Sequence, residues 1–407
     1  MVCRSTLAGV TSRRRLLVSL LVLLVPVALV GGLWLGGHPQ HLPGFARDAF
    51  VEDDHEALVR EALGVISDDY YRPVSETQLV NRGLEGAVAG LHDRFSHYFD
   101  PKSYRQFSEA TGGSFSGVGI TVNGDKRGLK VVGLIPHSPA ARSGIRPGDV
   151  IVAVDGATLA GKPEEVSSAL IRGKPGTKVR LTYKRAGNRR TVSVQRARIT
   201  TPVVTSKLLH AGGVKVGYVS LATFTSGAHA QVAEAIRKLR AEGAKGIVFD
   251  LRDNGGGLLE EAVLVGSLFI EKGPIVSTDG RARPKHVYEA VGDQVAGNLP
   301  TVVLVNRGTA SASEIVAGAI QDRHRGKIVG THSFGKGVFQ EVRQLSNGGA
   351  LDITVGEFFL PSGRNLGGGG VREGAGLTPD VPVKDNPKRP GDEQVRAALR
   401  TLGSELP

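Results

Sequence analysis

Apolar side chains fall into three textures along this chain, and each predicts a different architecture. From 48 to 110 they recur three and four residues apart, as in Leu58, Ala62, Val65, Ile66 and again in Leu79, Leu84, Val88, Leu91. That spacing lines one face of a helix, so a small helical domain is expected. A further helix is predicted to start at Asp100-Pro101, because proline suits a first turn and Tyr104 and Phe107 then share a face. From 112 to 200 the apolar runs are short and bounded by Gly or Pro, as in Gly117 to Val122, Leu129 to Val132 and Asp149 to Val154. They predict a compact β-rich module. From 201 to 385, strands such as Val214 to Val219 and Gly246 to Leu251 alternate with helical stretches such as His229 to Ala241 and Glu260 to Leu268. This is an α/β pattern. Its third strand, Thr301 to Val305, is apolar enough to be buried on both faces and empties into Asn306-Arg307-Gly308-Thr309, the kind of strand end where such folds place chemistry. Residues 386–407 form a C-terminal segment.

The N-terminus changes the picture. Arg4 and Arg13-Arg14-Arg15 precede Leu16 to Leu35, a stretch without a charge and of about the 20 residues that cross a bilayer. No Ala-x-Ala site follows it. The expectation is an uncleaved transmembrane anchor at 16–35, a cytoplasmic basic segment at 1–15, and a single-pass cell-membrane protein whose catalytic part is extracytoplasmic.

Charge and composition narrow the function classes. The formal net charge of +12 invites a nucleic-acid reading, but aromatics make up only 5%, and basic residues must be concentrated with aromatics or in a DNA-reading motif to support it. Residues 171 to 200 hold Lys and Arg without an acid, yet these alternate with Val, Leu and Thr in Lys178 to Lys184 and Thr191 to Val194. That alternation reads as the solvated face of a hairpin, so no nucleic-acid partner is expected. The single cysteine, Cys3, excludes an internal disulfide framework and supports neither a Cys-rich metal site nor a catalytic thiol.

The remaining candidates are a serine and a lysine. Thr309-Ala310-Ser311-Ala312-Ser313-Glu314 follows the third strand and passes into a helix, so Ser311 or Ser313 is either a helix cap or a hydroxyl facing helix N-terminal amides. Gly-x-Ser-x-Gly and His-Glu-x-x-His are absent. His324 and His332 sit among charged and turn residues and read as surface groups. A base is available instead in Ser333-Phe334-Gly335-Lys336-Gly337-Val338-Phe339-Gln340, where burial against Phe334 and Phe339 would favour the neutral amine. Gln340, four residues on, would hold that amine if the segment turned helically.

Two resemblances join these parts. Ser138-Pro139-Ala140-Ala141-Arg142-Ser143-Gly144-Ile145-Arg146-Pro147-Gly148-Asp149-Val150-Ile151 resembles the small helix, turn and strand of a PDZ domain, with Glu164 to Leu170 as its second helix. The order of Asp250-Leu251-Arg252-Asp253-Asn254-Gly255-Gly256-Gly257-Leu258-Leu259, the Ser311 segment and the Lys336 segment, with a PDZ-like domain upstream, resembles the carboxyl-terminal processing peptidases, also called tail-specific proteases.

That resemblance implies a multidomain α/β fold with a crotonase/Clp-like protease core at 201–385 and a PDZ-like domain at 112–200. It implies Ser311 as nucleophile, Lys336 as general base, Gln340 as the residue orienting it, and an oxyanion hole from the Ala312 N–H with that of Gly256 or Gly257. Tail capture would fall to Gly117, Val118, Gly119 and Ile120, with Arg172 responding to bound peptide. No metal or cofactor is implied. The partners expected are protein or peptide substrates with free C-terminal tails, the membrane, and a second copy in a homodimer. The competing reading is a catalytically silent tail-binding scaffold.

Overall fold

The computed structural model describes residues 54–384 and 391–406. No helix among them is long and apolar enough to cross a membrane. The longest, Asp54–Asp69, has 16 residues and carries acidic side chains along its length, whereas a span takes about 20 predominantly apolar ones. The expected anchor, 16–35, and the basic segment before it lie outside the described residues. The membrane-spanning element of the expected fold, and with it the single-pass placement and the membrane partner, is therefore corrected. What stands is a multidomain α/β fold.

Two compact units divide at Gly86/Ala87. The first holds Asp54–Asp69 and most of Glu76–Ala89; the apolar stripe that predicted these helices stays outward at Leu58, Val65 and Ile66. The second unit holds everything else. It begins with an element that helical spacing did not predict, the strand His97–Phe99, which pairs antiparallel with Ala350–Phe359. The helix Pro101–Thr111 follows, its first turn closed by the Asp100 side chain accepting from the Ser103 N–H.

The β-rich module runs from Ser114–Gly117 to Ala197–Thr200, and these two terminal strands pair with each other. Between them a sheet is ordered Ile120–Asp125, Gly128–Leu134, Val150–Val154, Lys178–Arg185, Asn188–Gln195. Lys178, Arg180 and Lys184 point to solvent while Val179 and Leu181 are buried, so the basic hairpin is built as its alternation predicts. Asp149, almost fully buried, is held by Arg185; the guanidinium and the Arg146 N–H keep its pKa low against the opposing effect of burial.

The α/β core is a six-stranded sheet ordered Val204–Ala211, Val214–Leu221, Ile247–Asp250, Thr301–Val305, Lys327–Gly330, Val381–Pro382. Only its first pair is antiparallel. Thr301–Val305 is buried on both sides, which explains its unbroken apolar run. Val303 and Val305 pack in the cluster that includes Ala312–Asp322 and Ala228–Ala241, and Val302 and Leu304 pack in the one that includes Ala398 and Leu402 of the C-terminal helix Glu393–Gly403. A second sheet carries Val338–Gln344 on the flank of Ala350–Phe359.

Candidate active site

The loop between Thr301–Val305 and Ala312–Asp322 is laced to the loop after Ile247–Asp250. The Thr309 hydroxyl donates to the Leu251 carbonyl at 2.9 Å, and the Ala310 N–H donates to the Asn254 carbonyl at 3.1 Å. Ser313 is fully buried and donates its hydroxyl to that same Asn254 carbonyl at 2.9 Å. Ser311 is different. It sits at the N-cap of the helix with φ +56, a region that side-chain-bearing residues adopt only when their surroundings impose it. The two serines are thus held differently: the Ser313 hydroxyl is spent on the Asn254 carbonyl, and Ser311 forms a capping box with Glu314.

Glu314 imposes that conformation. It is fully buried, and its carboxylate accepts four hydrogen bonds. One oxygen takes the Ser311 N–H at 2.9 Å and the Lys336 N–H at 3.1 Å. The other takes the Ser333 hydroxyl at 2.5 Å and the Gly335 N–H at 2.7 Å. Ser311 and Lys336, 25 positions apart, therefore meet on one oxygen atom. Burial raises the Glu314 pKa, and the four donors work against that rise.

The glycine turn lies beside this loop. A Cβ on Gly256, where φ is +104, would come within 2.9 Å of the Ser311 Cβ and 2.8 Å of the Ala310 carbonyl oxygen, so only glycine fits. The Gly256 N–H donates to the Asn254 side chain at 2.9 Å, whereas the N–H groups of Gly257 and Ala312 have no hydrogen-bond acceptor among the described residues.

Lys336 is half-buried, with its Nζ 4.5 Å from the centre of the Phe95 ring. Desolvation lowers its pKa; Asp352, Asp93 and Glu314 pull the other way and Arg94 adds to the lowering. The Nζ donates to Gln340 Oε1 at 2.6 Å. The helical turn expected to bring these two together is not what does it. Val338–Gln344 is a strand, paired with Ala350–Phe359 and with a register shift between Phe339 and Gln340. Lys336 lies two residues before that strand and Gln340 just past its irregularity, so the contact is made where the chain bends and neither helical spacing nor regular strand alternation sets it. His324 and His332 are exposed. Among the described residues no three His, Cys, Asp or Glu side chains are grouped to hold a metal ion.

Sequence reasoning missed Asp93, Phe95, Ser96, Glu314 and Thr354. The pattern Ser-x-x-Glu from Ser311 to Glu314 is a capping-box signal that would have found Glu314. Thr354 stands opposite Gln340 on the neighbouring strand, and nothing local points to Asp93, Phe95 and Ser96, whose loop meets that strand across some 258 positions, as in the Thr354 N–H donating to Ser96 Oγ at 3.0 Å.

In the β-rich module a groove of about 560 Å³ runs between the free edge of Ile120–Asp125 and the helix Glu164–Ile171. Gly117, Val118, Gly119, Ile120 and Arg172 all line it. The Val118 carbonyl accepts the Ala140 N–H and the Gly119 carbonyl the Ile135 N–H; the Val118 and Gly119 N–H groups have no acceptor among the described residues. Gly119 has φ +81, and a Cβ there would meet the Ser138 Cβ at 2.2 Å. Arg172 bonds Glu109 at 2.8 Å with both side chains more than half exposed, a pairing worth little by itself. Groove and Ser311 lie in the same compact unit but in different modules.

The profile of peptidase family S41 matches residues 215–383, and that of the PDZ domain residues 116–195. A probable CtpA-like serine protease of Staphylococcus saprophyticus is 30% identical over 375 residues, covering 92% of this chain and 74% of the relative. One from Staphylococcus aureus is 33% identical over 332 residues, covering 81% of this chain and 65% of the relative. Among solved structures, a photosystem II D1 C-terminal processing protease is 30% identical, covers 87% of this chain and 98% of its own, and superposes with a TM-score of 0.48.

Proposed function

Since this chain belongs to peptidase family S41, and within it to the CtpA-like serine-type endopeptidases that carry a PDZ domain, we propose that it captures protein substrates by their C-terminal tails and cleaves them through an acyl-enzyme on Ser311, with Lys336 as general base. What supports this most is the half-buried amine of Lys336, held by Gln340, on a residue whose backbone N–H shares one Glu314 oxygen with the backbone N–H of Ser311.

The chemistry follows from the groups present. The Ser311 Oγ attacks the scissile carbonyl while the neutral Lys336 Nζ takes its proton. The tetrahedral oxyanion then accepts from the Ala312 N–H at the helix N-terminus and from the Gly257 N–H. Gly257 is preferred to Gly256 because the Gly256 N–H is already donated to Asn254. The ammonium returns its proton to the leaving amine, and water, deprotonated by the same lysine, releases the acyl group.

The tail binds by adding a strand to the open edge of Ile120–Asp125, with its terminal carboxylate on the N–H groups of Val118 and Gly119. Arg172, at one end of the groove, supplies a cation close to the bound peptide. The test compares an unfolded reporter protein bearing a free C-terminus with the same protein amidated there, incubated with wild type and with Ser311→Ala and followed by mass spectrometry. Wild type should cleave the free-tailed reporter at least 10-fold faster, the scale of a lost charge-assisted pair, and Ser311→Ala neither. Equal rates on the two reporters would remove the tail-capture reading, and cleavage by Ser311→Ala the nucleophile. Binding of a free-tailed reporter without cleavage by the wild type would favour the scaffold reading.

A further inference from the structure

The peptide unit between Gly256 and Gly257 carries the N–H that receives the oxyanion in the reaction above, and it has glycine on both sides. Glycine takes positive and negative φ about equally, so no side chain resists this plane turning over. The two orientations have opposite consequences. No cis peptide occurs among the described residues, and in a trans unit the carbonyl and the N–H point in opposite directions. Whichever side receives the Gly257 N–H, the other receives the Gly256 oxygen. Turned over, the unit would aim a carbonyl at the developing negative charge and repel it.

Two donors hold the Gly256 carbonyl from one side. The Phe224 N–H reaches it at 3.0 Å, and the Thr223 hydroxyl at 3.1 Å. A carbonyl oxygen only accepts, so the Thr223 proton lies between the two oxygens. Phe224 is itself fixed: its side chain is buried, and its own carbonyl accepts the Leu258 N–H at 2.8 Å, so it brackets Gly257 as a short parallel bridge. A single bond sets a distance but lets the plane swing, whereas two donors on one carbonyl oxygen set its direction. The Gly256 N–H is committed to Asn254, which is anchored in turn by donating to the Leu221 carbonyl at 2.8 Å. The Gly257 N–H is left pointing away from Phe224. The turn also adjoins the other oxyanion donor, since a Cβ on Gly256 would stand 3.0 Å from the Ala312 nitrogen.

We propose that Thr223 is a positioning residue of the proteolytic reaction: its hydroxyl, together with the Phe224 N–H, holds the Gly256 carbonyl and thereby aims the Gly257 N–H at the oxyanion. The inference rests on the acyl-enzyme reading of Ser311 and deepens it by naming what orients its oxyanion hole. Thr223 acts only through that peptide unit.

Thr223→Val keeps the shape and removes the hydroxyl, and Thr223→Ser restores it. The test measures kcat and KM against pH for these variants of the full chain. It also measures inhibition by a peptidyl trifluoromethyl ketone and by the corresponding alcohol, both carrying the residues that precede the mapped cleavage site, with Ser311→Ala alongside. The Ser311 Oγ bonds to the ketone carbon and its proton passes to Lys336, which leaves an ionised oxygen in the hole; the alcohol forms no such bond. Thr223→Val should lose on the order of 10-fold in kcat, part of the roughly 10²–10³ that a whole oxyanion donor supplies, with KM unchanged. It should lose the same factor on the ketone and nothing on the alcohol, and its pH limb should stay in place because Lys336 is untouched. Thr223→Ser should remain near wild type. Wild-type ketone affinity in Thr223→Val, an equal loss on ketone and alcohol, a displaced pH limb, or a Thr223→Ser variant as impaired as Thr223→Val overturns the proposal. Should Thr223→Val not fold, Thr223→Ala, which sets no methyl against the Gly256 oxygen, decides by the same readings. Ser311→Ala binding the ketone as tightly as wild type would instead bring down the acyl-enzyme reading, and the two failures are told apart in one experiment.

Discussion

Replacing Lys336 by alanine lowers kcat/KM by about 10³-fold or more, within the range a positioned general base supplies, and Lys336→Arg does the same. The guanidinium keeps the charge but never gives up its proton, so it can occupy the site and not serve it. The wild-type rate should rise with pH as the ammonium loses its proton. Burial is the leading cause that places this limb below an ordinary lysine; Arg94 assists it, while Asp352, Asp93 and Glu314 oppose it. The sign is therefore fixed: activity is present above the lowered pKa and lost as pH falls through it. The measurement is kcat/KM against pH. A limb at about 10.4, where a solvated lysine titrates, would contradict the desolvation of this amine.

Glu314→Ala is expected to damage fold and activity together. It strands four donors in a fully buried place, the N–H groups of Ser311, Gly335 and Lys336 and the hydroxyl of Ser333. Unmet buried donors cost roughly 1–3 kcal/mol each before relaxation, so the expected net loss is about 3 kcal/mol. The rate should drop on the order of 100-fold, the effect of misplacing a reacting group by about 1 Å, since the same bonds hold Ser311 at its positive φ. Glu314→Gln is nearly as harmful. Both carboxylate oxygens accept, and the Gln nitrogen would face donors. Thermal unfolding and kcat on the two variants check this; wild-type melting and rate in Glu314→Gln would contradict the role given to the carboxylate.

What the sequence made legible was set by distance along the chain. The unbroken apolar run Thr301–Val305 and the glycines after Asp250 are local patterns, and they located the strand ends that carry Ser311 and the turn beside it. The choice of Ser311 over Ser313 came from family spacing, and what no local pattern signalled is that the Ser313 hydroxyl meets the Asn254 carbonyl. Gln340 was placed beside Lys336 for the wrong reason: the expected helical turn is a strand entry with an irregularity between Phe339 and Gln340, which no residue spacing signals. His97–Phe99 is too short for a periodic signal and exists because Ala350–Phe359 offers it an edge. Asp93, Ser96 and Thr354 were invisible for the same reason, being polar residues whose meaning lies wholly in a long-range contact. The charge-free run at 16–35 was read by length and hydropathy alone, and the described helices provide no membrane span to accompany it.

Activation of a Ser311 nucleophile by Lys336 is tested by reacting the full chain with a serine-directed phosphonofluoridate and mapping the adduct by mass spectrometry. One adduct is expected, on Ser311, forming faster as pH rises through the lowered Lys336 pKa and forming at a negligible rate in Lys336→Ala. An adduct on Ser313, or undiminished labelling of Ser311 without Lys336, would contradict it.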